Sequence, residues 1–185
     1  MNKRFYRVLG ISMAIISPVI IYLFNKQKKI PNTTNNKLLA FITKSLQSSK
    51  VPKVNVEKVA KHKSAYIFLD AREKEEYNVS HIENAIYIGV EKFSPDSIKD
   101  IPKNANIVVY CSVGIRSDRI AKELISAGFK NAYNLFGGIF EWINEGYPVF
   151  NPGGYQTPYI HGYSKFWGAF VKSGYKIYTE YQLSI

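Results

Sequence analysis

The stretch that decides the fold is Asn106–Leu124, which reads NIVVYCSVGIRSDRIAKEL. It begins with Ile107–Tyr110, a short β-branched and aromatic run that is typical of a strand buried on both faces. Apolar residues then recur at helical spacing, at Ile120, Ala121, Leu124 and Ile125. Gly128 follows as a helix stop signal. The sequence therefore predicts a buried strand, a loop that begins with the chain's single cysteine, Cys111, and a helix.

The loop from Cys111 to Arg116 would lie at the carboxyl end of a central strand and lead into a helix N-terminus. Successive backbone N–H groups and the positive end of a helix dipole converge at such a place. These groups, together with a nearby arginine, favour the thiolate, which is the reactive form of cysteine. Gly114 suits the loop because glycine readily adopts a positive φ. A lone cysteine after an apolar strand is commonly a small buried residue, so the composition of the loop is what favours a nucleophile.

Three motifs, in this order along the chain, resemble those of single-domain rhodaneses, a family of sulfurtransferases. The first is LDAREKEEYNVSHIENA at 69–85, the second is the Cys-x-x-Gly-x-Arg-Ser loop, and the third is LFGG at 135–138 with GYPV at 146–149. Together they cover about Val51–Phe150. The resemblance implies an α/β fold with a parallel sheet flanked by helices on both faces, and it implies no metal or organic cofactor.

The resemblance also implies a persulfide on Cys111, formed from a small sulfane donor such as thiosulfate and passed to a thiol or cyanide acceptor. Four residues separate Cys111 from Arg116, whereas related phosphatases and arsenate reductases have five, so the loop suits a sulfur atom better than a tetrahedral oxyanion. The expected sulfur-binding groups are the Arg116 guanidinium and the N–H groups of Ser112, Val113, Gly114, Ile115 and Arg116. The loop carries a single cation, which argues against tight binding of thiosulfate. The alternative is a binding module of the same fold that carries sulfur for a membrane partner without turnover.

Other residues with polar or reactive side chains have a structural interpretation as well. Asp70 and Arg72 follow a predicted strand, at the edge where ligand-facing groups gather, and they would either support the site or form an ion pair that holds the strand end. His81 is predicted to be structural and Trp142 to be part of the core. No second His or Cys lies at metal-ligand spacing, so the sequence predicts no metal site.

The remaining predicted elements alternate between helix and strand, which indicates a parallel sheet. They are a helical turn over Val54–Lys61, strands over Ala65–Leu69, Ala85–Ile88 and Ala132–Leu135, and helices over Ser94–Lys99 and around Trp142.

The net charge of +11 is concentrated in the first part of the chain. Residues 1–63 hold thirteen lysines and arginines against one acidic residue, and residues 64–185 hold twelve against thirteen. A folded domain that binds nucleic acid would carry the basic face itself. The charge distribution therefore argues against a nucleic-acid partner.

The N-terminal residues 1–25 combine a basic start with Val8–Phe24, a run without charged residues. As a helix this run would span about 25 Å, close to the thickness of a hydrocarbon core. It is predicted to be a membrane anchor or uncleaved signal, with a cleaved signal peptide as the alternative, and no small-residue cleavage pattern follows it. The short basic N-terminal tail favours a domain on the periplasmic or extracytoplasmic side.

Two further segments flank the predicted domain of residues 51–150. Residues 26–50 are predicted to be a linker followed by a weak amphipathic helix over Lys37–Leu46, which would either pack on the domain or rest on anionic lipid. Residues 151–185 contain nine aromatic residues between Tyr155 and Tyr181. They are expected to fold back over the domain, with a partner surface or membrane contact as the alternative. The sequence does not indicate an oligomeric state.

Overall fold

The computed structural model describes residues 41–43, 45–48, 50–91 and 93–179, and this part of the chain forms a five-stranded sheet in which neighbouring strands are all parallel. The strands are β1 (Lys53–Val54), β2 (Ile67–Asp70), β3 (Ile86–Tyr87), β4 (Asn106–Tyr110) and β5 (Asn131–Leu135). Their order is β1-β5-β4-β2-β3, so β4, which leads to Cys111, is the central strand. The predicted anchor over residues 1–25 and most of the predicted linker lie outside the described residues.

Helices flank this sheet on both faces. They are α1 (Val56–Lys61), α2 (Lys74–Val79), α3 (Ile115–Ser126), α4 (Gly138–Asn144) and, after the sheet, α5 (Lys165–Gly168). Leu69 of β2 belongs to a buried cluster with Leu124 of α3, whereas the neighbouring Phe68 ring lies 5.8 Å from the Trp142 ring of α4. Successive strand residues point to opposite faces, so α3 and α4 cover opposite sides. The predicted α/β fold with a parallel sheet flanked by helices is confirmed.

The central strand is buried as its composition predicts. Ile107, Val108, Val109 and Tyr110 have no exposed surface, because β4 has a hydrogen-bonded strand on each side and helices over each face. Burial of each such side chain contributes about 1.5–3 kcal/mol. This packing fixes the carboxyl end of β4, where Cys111 follows.

Several predicted boundaries differ from the structure. The first strand is β1 at the sheet edge, and β2 begins two residues later than expected because residues 63–65 form a 3-10 turn. The predicted helix over Ser94–Lys99 is a 3-10 helix over Pro95–Ile98, which begins at a proline and is capped by the Ser94 side chain. The prediction that Ile125 belongs to the buried apolar face of α3 is wrong, because Ile125 is exposed.

The segment before β1 packs on the domain. Residues 41–43 and 45–46 are helical, and Ile42 and Thr43 are buried, whereas Phe41 and Leu46 are exposed. The sequence pattern predicts Leu46 on the apolar face with Ile42, and the structure places it on the solvent side. Within the described residues, no helix is long and apolar enough to cross a bilayer.

The C-terminal segment adds short strands, which are β6 (Val149–Phe150), β7 (Gln156–Thr157), β8 (Tyr159–His161) and β9 (Tyr175–Ile177). The first two pair antiparallel and the last two pair parallel. Ile160, Phe170 and Val171 are buried, whereas Tyr155 and Tyr175 are exposed. The segment therefore has one side that packs on the domain and another that presents aromatic residues to solvent.

Two glycines where the chain passes from β5 into α4 allow it to approach the cysteine loop closely. Gly137 and Gly138 have φ values of 78° and 59°, which residues with a side chain rarely adopt. A Cβ at Gly138 would lie 2.3 Å from the carbonyl oxygen of Cys111 and 2.7 Å from that of Ser112. The approach of α4 to the loop therefore requires glycine at 138.

We expect Gly138→Ala to lower the free energy of unfolding by about 2–5 kcal/mol, through the left-handed backbone and overpacking against the loop. Gly146→Ala is a matched control, because Gly146 has φ of 83° but a Cβ at this position would have no neighbour within 4 Å. It should cost only about 1–2 kcal/mol. Urea unfolding of both variants measures the difference, and equal losses would show that the close approach does not matter.

Candidate active site

Cys111 lies directly after β4, at the carboxyl edge of the sheet, and is 1% exposed. Its Sγ accepts a hydrogen bond from the backbone N–H of Gly114 at 3.1 Å. α3 begins at Ile115, so the loop proper is Cys111–Gly114 and Arg116 belongs to the first turn of the helix. The sulfur therefore faces the N-terminus of a twelve-residue helix, where unpaired N–H groups and the helix dipole favour a negative charge.

Gly114 makes this geometry possible. It is the N-cap of α3 with φ of 92°. A Cβ there would lie 2.7 Å from the Gln47 amide nitrogen and 3.1 Å from the Leu135 carbonyl oxygen. The turn that directs the Gly114 N–H at the sulfur therefore requires glycine, because a side chain would not fit there.

The carbonyl groups of the loop are bonded to other elements. The N–H groups of Ile139 and Phe140, at the start of α4, donate to the carbonyl oxygens of Cys111 and Ser112 at 2.9 and 3.1 Å. The carbonyl oxygen of Gly114 accepts from the amide groups of Gln47 and Asn134 at 3.0 and 2.9 Å. These bonds fix the orientation of the loop peptides.

Arg116 is bound to protein groups other than the sulfur. Its guanidinium donates to both carboxylate oxygens of Glu76 at 2.6 and 2.8 Å and to Ser112 Oγ at 2.8 Å. Ser112 Oγ in turn donates to Glu76 at 2.6 Å. The Glu76 side chain is 1% exposed and that of Arg116 18%, so the pair is largely removed from water.

The ion pair controls the protonation of Glu76. Burial alone raises the pKa of Glu76, but the charge and hydrogen bonds of Arg116, the charge of Arg72 and the hydrogen bond from Ser112 outweigh it and lower the pKa to about 2. Burial lowers the pKa of Arg116, and the charge and hydrogen bonds of Glu76 raise it well above its ordinary value. Both groups are therefore charged near neutral pH.

Comparison with known proteins identifies the family. A family model described as a rhodanese-like domain matches residues 55–145. The chain is 30% identical over 121 residues to rhodanese-like domain-containing protein 17 of Arabidopsis thaliana, and the match covers 58% of this chain and 78% of that protein. The chain belongs to the rhodanese-like domain family. A solution structure of the rhodanese-like domain of an Anabaena protein shares 25% identity and a TM-score of 0.51, covering 54% of this chain and 79% of that one.

Two larger relatives match the rhodanese-like domain in part. The adenylyltransferase and sulfurtransferase uba4 of Ogataea parapolymorpha is 31% identical over 101 residues, which are 53% of this chain and 26% of that protein. A tRNA uridine(34) hydroxylase of Pectobacterium carotovorum is 36% identical over 84 residues, which are 43% of this chain and 24% of the enzyme. The chain thus spans about a quarter of the length of each of these relatives.

Asp70 and Arg72 lie at the carboxyl end of β2 in this rhodanese-like domain. Both have no exposed surface, and Arg72 Nη2 lies 2.6 Å from Asp70 Oδ2. The same nitrogen donates to the Ser80 carbonyl oxygen at 2.6 Å. The structure shows these two residues bonded to each other and to the backbone after α2, which matches the structural alternative for the pair.

The residues predicted to be structural have matching contacts. His81 Nδ1 lies 3.1 Å from the Tyr77 carbonyl oxygen, and its ring stacks on the Tyr77 ring at 3.9 Å. Trp142 is buried and donates from Nε1 to the Pro148 carbonyl oxygen at 2.9 Å. In the described part of the chain, no three His, Cys, Asp or Glu side chains are grouped so as to hold a metal ion.

The sequence interpretation assigns no site role to several residues whose side chains contact the loop or Arg116, among them Gln47, Glu73, Glu76, Asn134 and Tyr163. Asn134 could have been recognised from the sequence most readily, because it is a polar residue within a predicted core strand. Besides Gly114, its side chain bonds Ser117 and Asp118. Glu76 lies in the first motif, but nothing in the spacing indicates that it meets Arg116, 40 residues away.

Acid titration tests the buried pair. Because the pKa of Glu76 is lowered from 4.5 to about 2 in the folded state, the carboxylate stabilises the fold above about pH 4.5 and this contribution is lost as the pH falls towards 2. This difference in pKa between the folded and unfolded states corresponds to on the order of 3 kcal/mol.

We expect the free energy of unfolding of Glu76→Gln to fall less between about pH 5 and pH 2.5 than that of the parent protein. Glu75→Gln, at an exposed position of α2, should retain the parental pH dependence. An identical acid dependence in parent and Glu76→Gln would contradict the assignment.

Proposed function

We propose that the protein is a sulfurtransferase that moves a sulfane sulfur through a persulfide on Cys111. The observation that carries the proposal is the Gly114 N–H, which donates to Cys111 Sγ at 3.1 Å from the turn before α3. It supports a negatively charged sulfur at this position. Membership in the rhodanese-like domain family and the sulfurtransferase named among the relatives support the same reaction class.

The proposed reaction needs no external oxidant or reductant. The Cys111 thiolate attacks the outer sulfur of the donor, the donor S–S bond breaks, and its electron pair leaves with the remainder, which is sulfite when the donor is thiosulfate. An acceptor thiolate or cyanide then attacks the terminal sulfur of the persulfide. The new bond forms as the Cys111 S–S bond breaks, which returns the Cys111 thiolate.

The loop residues have distinct roles in this proposal. Cys111 is the nucleophile, and the N–H groups of Ser112 to Arg116 surround the inner and outer sulfur atoms of the persulfide. Arg116 orders the loop through Glu76 and Ser112, and its direct contact with sulfur, expected from the sequence, stays a prediction. Asp70 and Arg72 hold the end of β2 beside it.

One observation favours a second candidate, a sulfur-carrying module that does not turn over thiosulfate. The loop's cation is already paired with a buried carboxylate, so a thiosulfate dianion gains little charge compensation from Arg116. A donor with a smaller charge, such as an organic persulfide, fits this site better. Stable sulfur on Cys111 with poor thiosulfate turnover would favour the carrier.

We also propose that residues 1–25 anchor the protein in a membrane, with the domain on the extracytoplasmic side. The proposal rests on the uncharged run Val8–Phe24 after a short basic tail. Extraction of intact membranes with carbonate and protease accessibility of the domain test it. Release by carbonate, or protection of the domain from protease added to the outer side of the cytoplasmic membrane, would contradict it.

Sulfur loading is the direct test of the proposed chemistry. We expect the full chain to gain the mass of one sulfur atom after exposure to thiosulfate or an organic persulfide, and Cys111→Ser to gain none, because Cys111 is the single cysteine. Intact-protein mass spectrometry measures the gain, and subsequent cyanide should release it as thiocyanate. A parent protein that takes up no sulfur from either donor would disprove the proposal.

Arg116→Ala should slow sulfur loading by about one to two orders of magnitude, since a lost charge-assisted hydrogen bond costs about 1.5–3 kcal/mol. The physical reason is the displacement of Ser112, together with an unpaired charge on Glu76. Lys122→Ala removes a positive charge from an exposed position of the same helix and should load normally. Time-resolved mass spectrometry compares the rates, and an unchanged rate in Arg116→Ala would remove Arg116 from the mechanism.

A further inference from the structure

A turn in the C-terminal segment has an unusual backbone conformation. The Ser164 N–H donates to the Gly162 carbonyl oxygen at 2.8 Å, which closes a three-residue turn around Tyr163. Tyr163 has φ of 62°, a value that is rare for a bulky side chain and strained in a turn of this kind. Such strain persists only where surrounding contacts fix the conformation, and it is concentrated at functional sites.

Three contacts hold the turn in place. The Tyr163 N–H donates to His161 Nδ1 at 3.1 Å, and the Gly162 N–H donates to the Ile177 carbonyl oxygen at 2.9 Å. A Cβ at Gly162 would lie 2.5 Å from the Tyr178 ring, so that ring packs directly on the turn. β8, which leads into the turn, packs against α2, the helix that carries Glu76.

The turn directs Tyr163 towards the cysteine loop. Its ring centre lies 4.7 Å from the Arg116 guanidinium carbon, which is a cation–π contact. Arg116 in turn bonds Ser112, the neighbour of Cys111. Burial chiefly raises the pKa of the Tyr163 hydroxyl, the Arg116 charge lowers it, and the Glu76 charge raises it.

We propose that Tyr163 is a specificity-determining residue whose ring forms one wall of the entrance to Cys111 and limits the size of the molecules that reach its sulfur. Cys111 and Ser112 are almost fully buried, so the side chains that border the loop restrict the approach of a reactant to the sulfur. Tyr163 is half-buried and covers Arg116, which borders the loop. The segment that carries it lies beyond the family match at residues 55–145.

Alkylation rates test whether Tyr163 limits access to Cys111, and they do so without requiring sulfur transfer. Cys111 is the single cysteine of the full chain, so it is the thiol whose alkylation is measured. The measured quantity is the ratio of the rate with a bulky fluorescein-linked iodoacetamide to the rate with iodoacetamide. Tyr163→Gly should raise this ratio at least about tenfold, the range in which a pocket discriminates by size. Glycine accepts a positive φ, so this variant removes the ring while relieving the strained backbone. Tyr163→Phe retains the ring and should retain the parental ratio.

Tyr155→Gly is the matched control, because Tyr155 belongs to the same segment but is 74% exposed. Its ratio should equal that of the parent. An unchanged ratio in Tyr163→Gly, or an equal rise in Tyr155→Gly, would overturn the proposal, the second because it would reveal general loosening of the segment.

A second measurement extends the inference to acceptors, and this part rests on the proposed sulfur transfer. With persulfide-loaded protein, Tyr163→Gly should accelerate transfer to a cysteine-containing peptide relative to transfer to cyanide. Equal acceleration of both acceptors would contradict size selection. If the parent protein takes up no sulfur while the alkylation ratio still rises in Tyr163→Gly, the proposed sulfur transfer is contradicted, whereas the role of Tyr163 in limiting access to Cys111 is supported.

Discussion

The buried ion pair between Glu76 and Arg116 is the interaction on which the candidate site depends. It joins α2 to the first turn of α3, and Ser112 Oγ bonds both partners, so the conformation of the cysteine loop is tied to a helix 36–40 residues earlier in the chain. Because the pair is shielded from water, loss of either charge would leave the other buried and unpaired, which is strongly destabilising. The pair therefore ties the position of the loop to that of α2.

Because Arg116 is paired with Glu76, the proposed stabilisation of an anionic sulfur relies mainly on backbone dipoles. A trans peptide directs its N–H and C=O to opposite sides. In this loop the carbonyl groups of Cys111, Ser112 and Gly114 are bonded to α4, Gln47 and Asn134. The N–H groups of the same three peptides point the opposite way, and the N–H of Gly114, from the peptide between them, donates to Sγ. In the proposed reaction these peptides are therefore ordered before a substrate arrives, which is the condition for effective electrostatic stabilisation.

The sequence is sufficient to predict the family, the parallel sheet, the buried strand before Cys111 and the glycines that turn the chain, because these follow from local periodicity, turn chemistry and motif order. It is less informative about contacts between distant segments. The spacing of Arg116 after the cysteine suggests a direct role at the sulfur, and only the fold shows that Glu76 meets the guanidinium. Short elements also shift, as with the 3-10 helix at Pro95–Ile98, since proline and a serine cap permit either helix type over a single turn.

Segments on each side of the family domain complete the site. The carboxyl edge of a parallel sheet is open where its loops end, and this is why ligands bind there. Gln47, before the domain match, bonds the back of the loop through Gly114, whereas Tyr163, after it, lies across Arg116. The first contact bonds a carbonyl of the loop, and the second is the proposed border of its entrance. If Tyr163 limits access as proposed, the family domain supplies the chemistry while a flanking segment selects the molecules that reach it, because a side chain at the rim can change without altering the backbone of the loop.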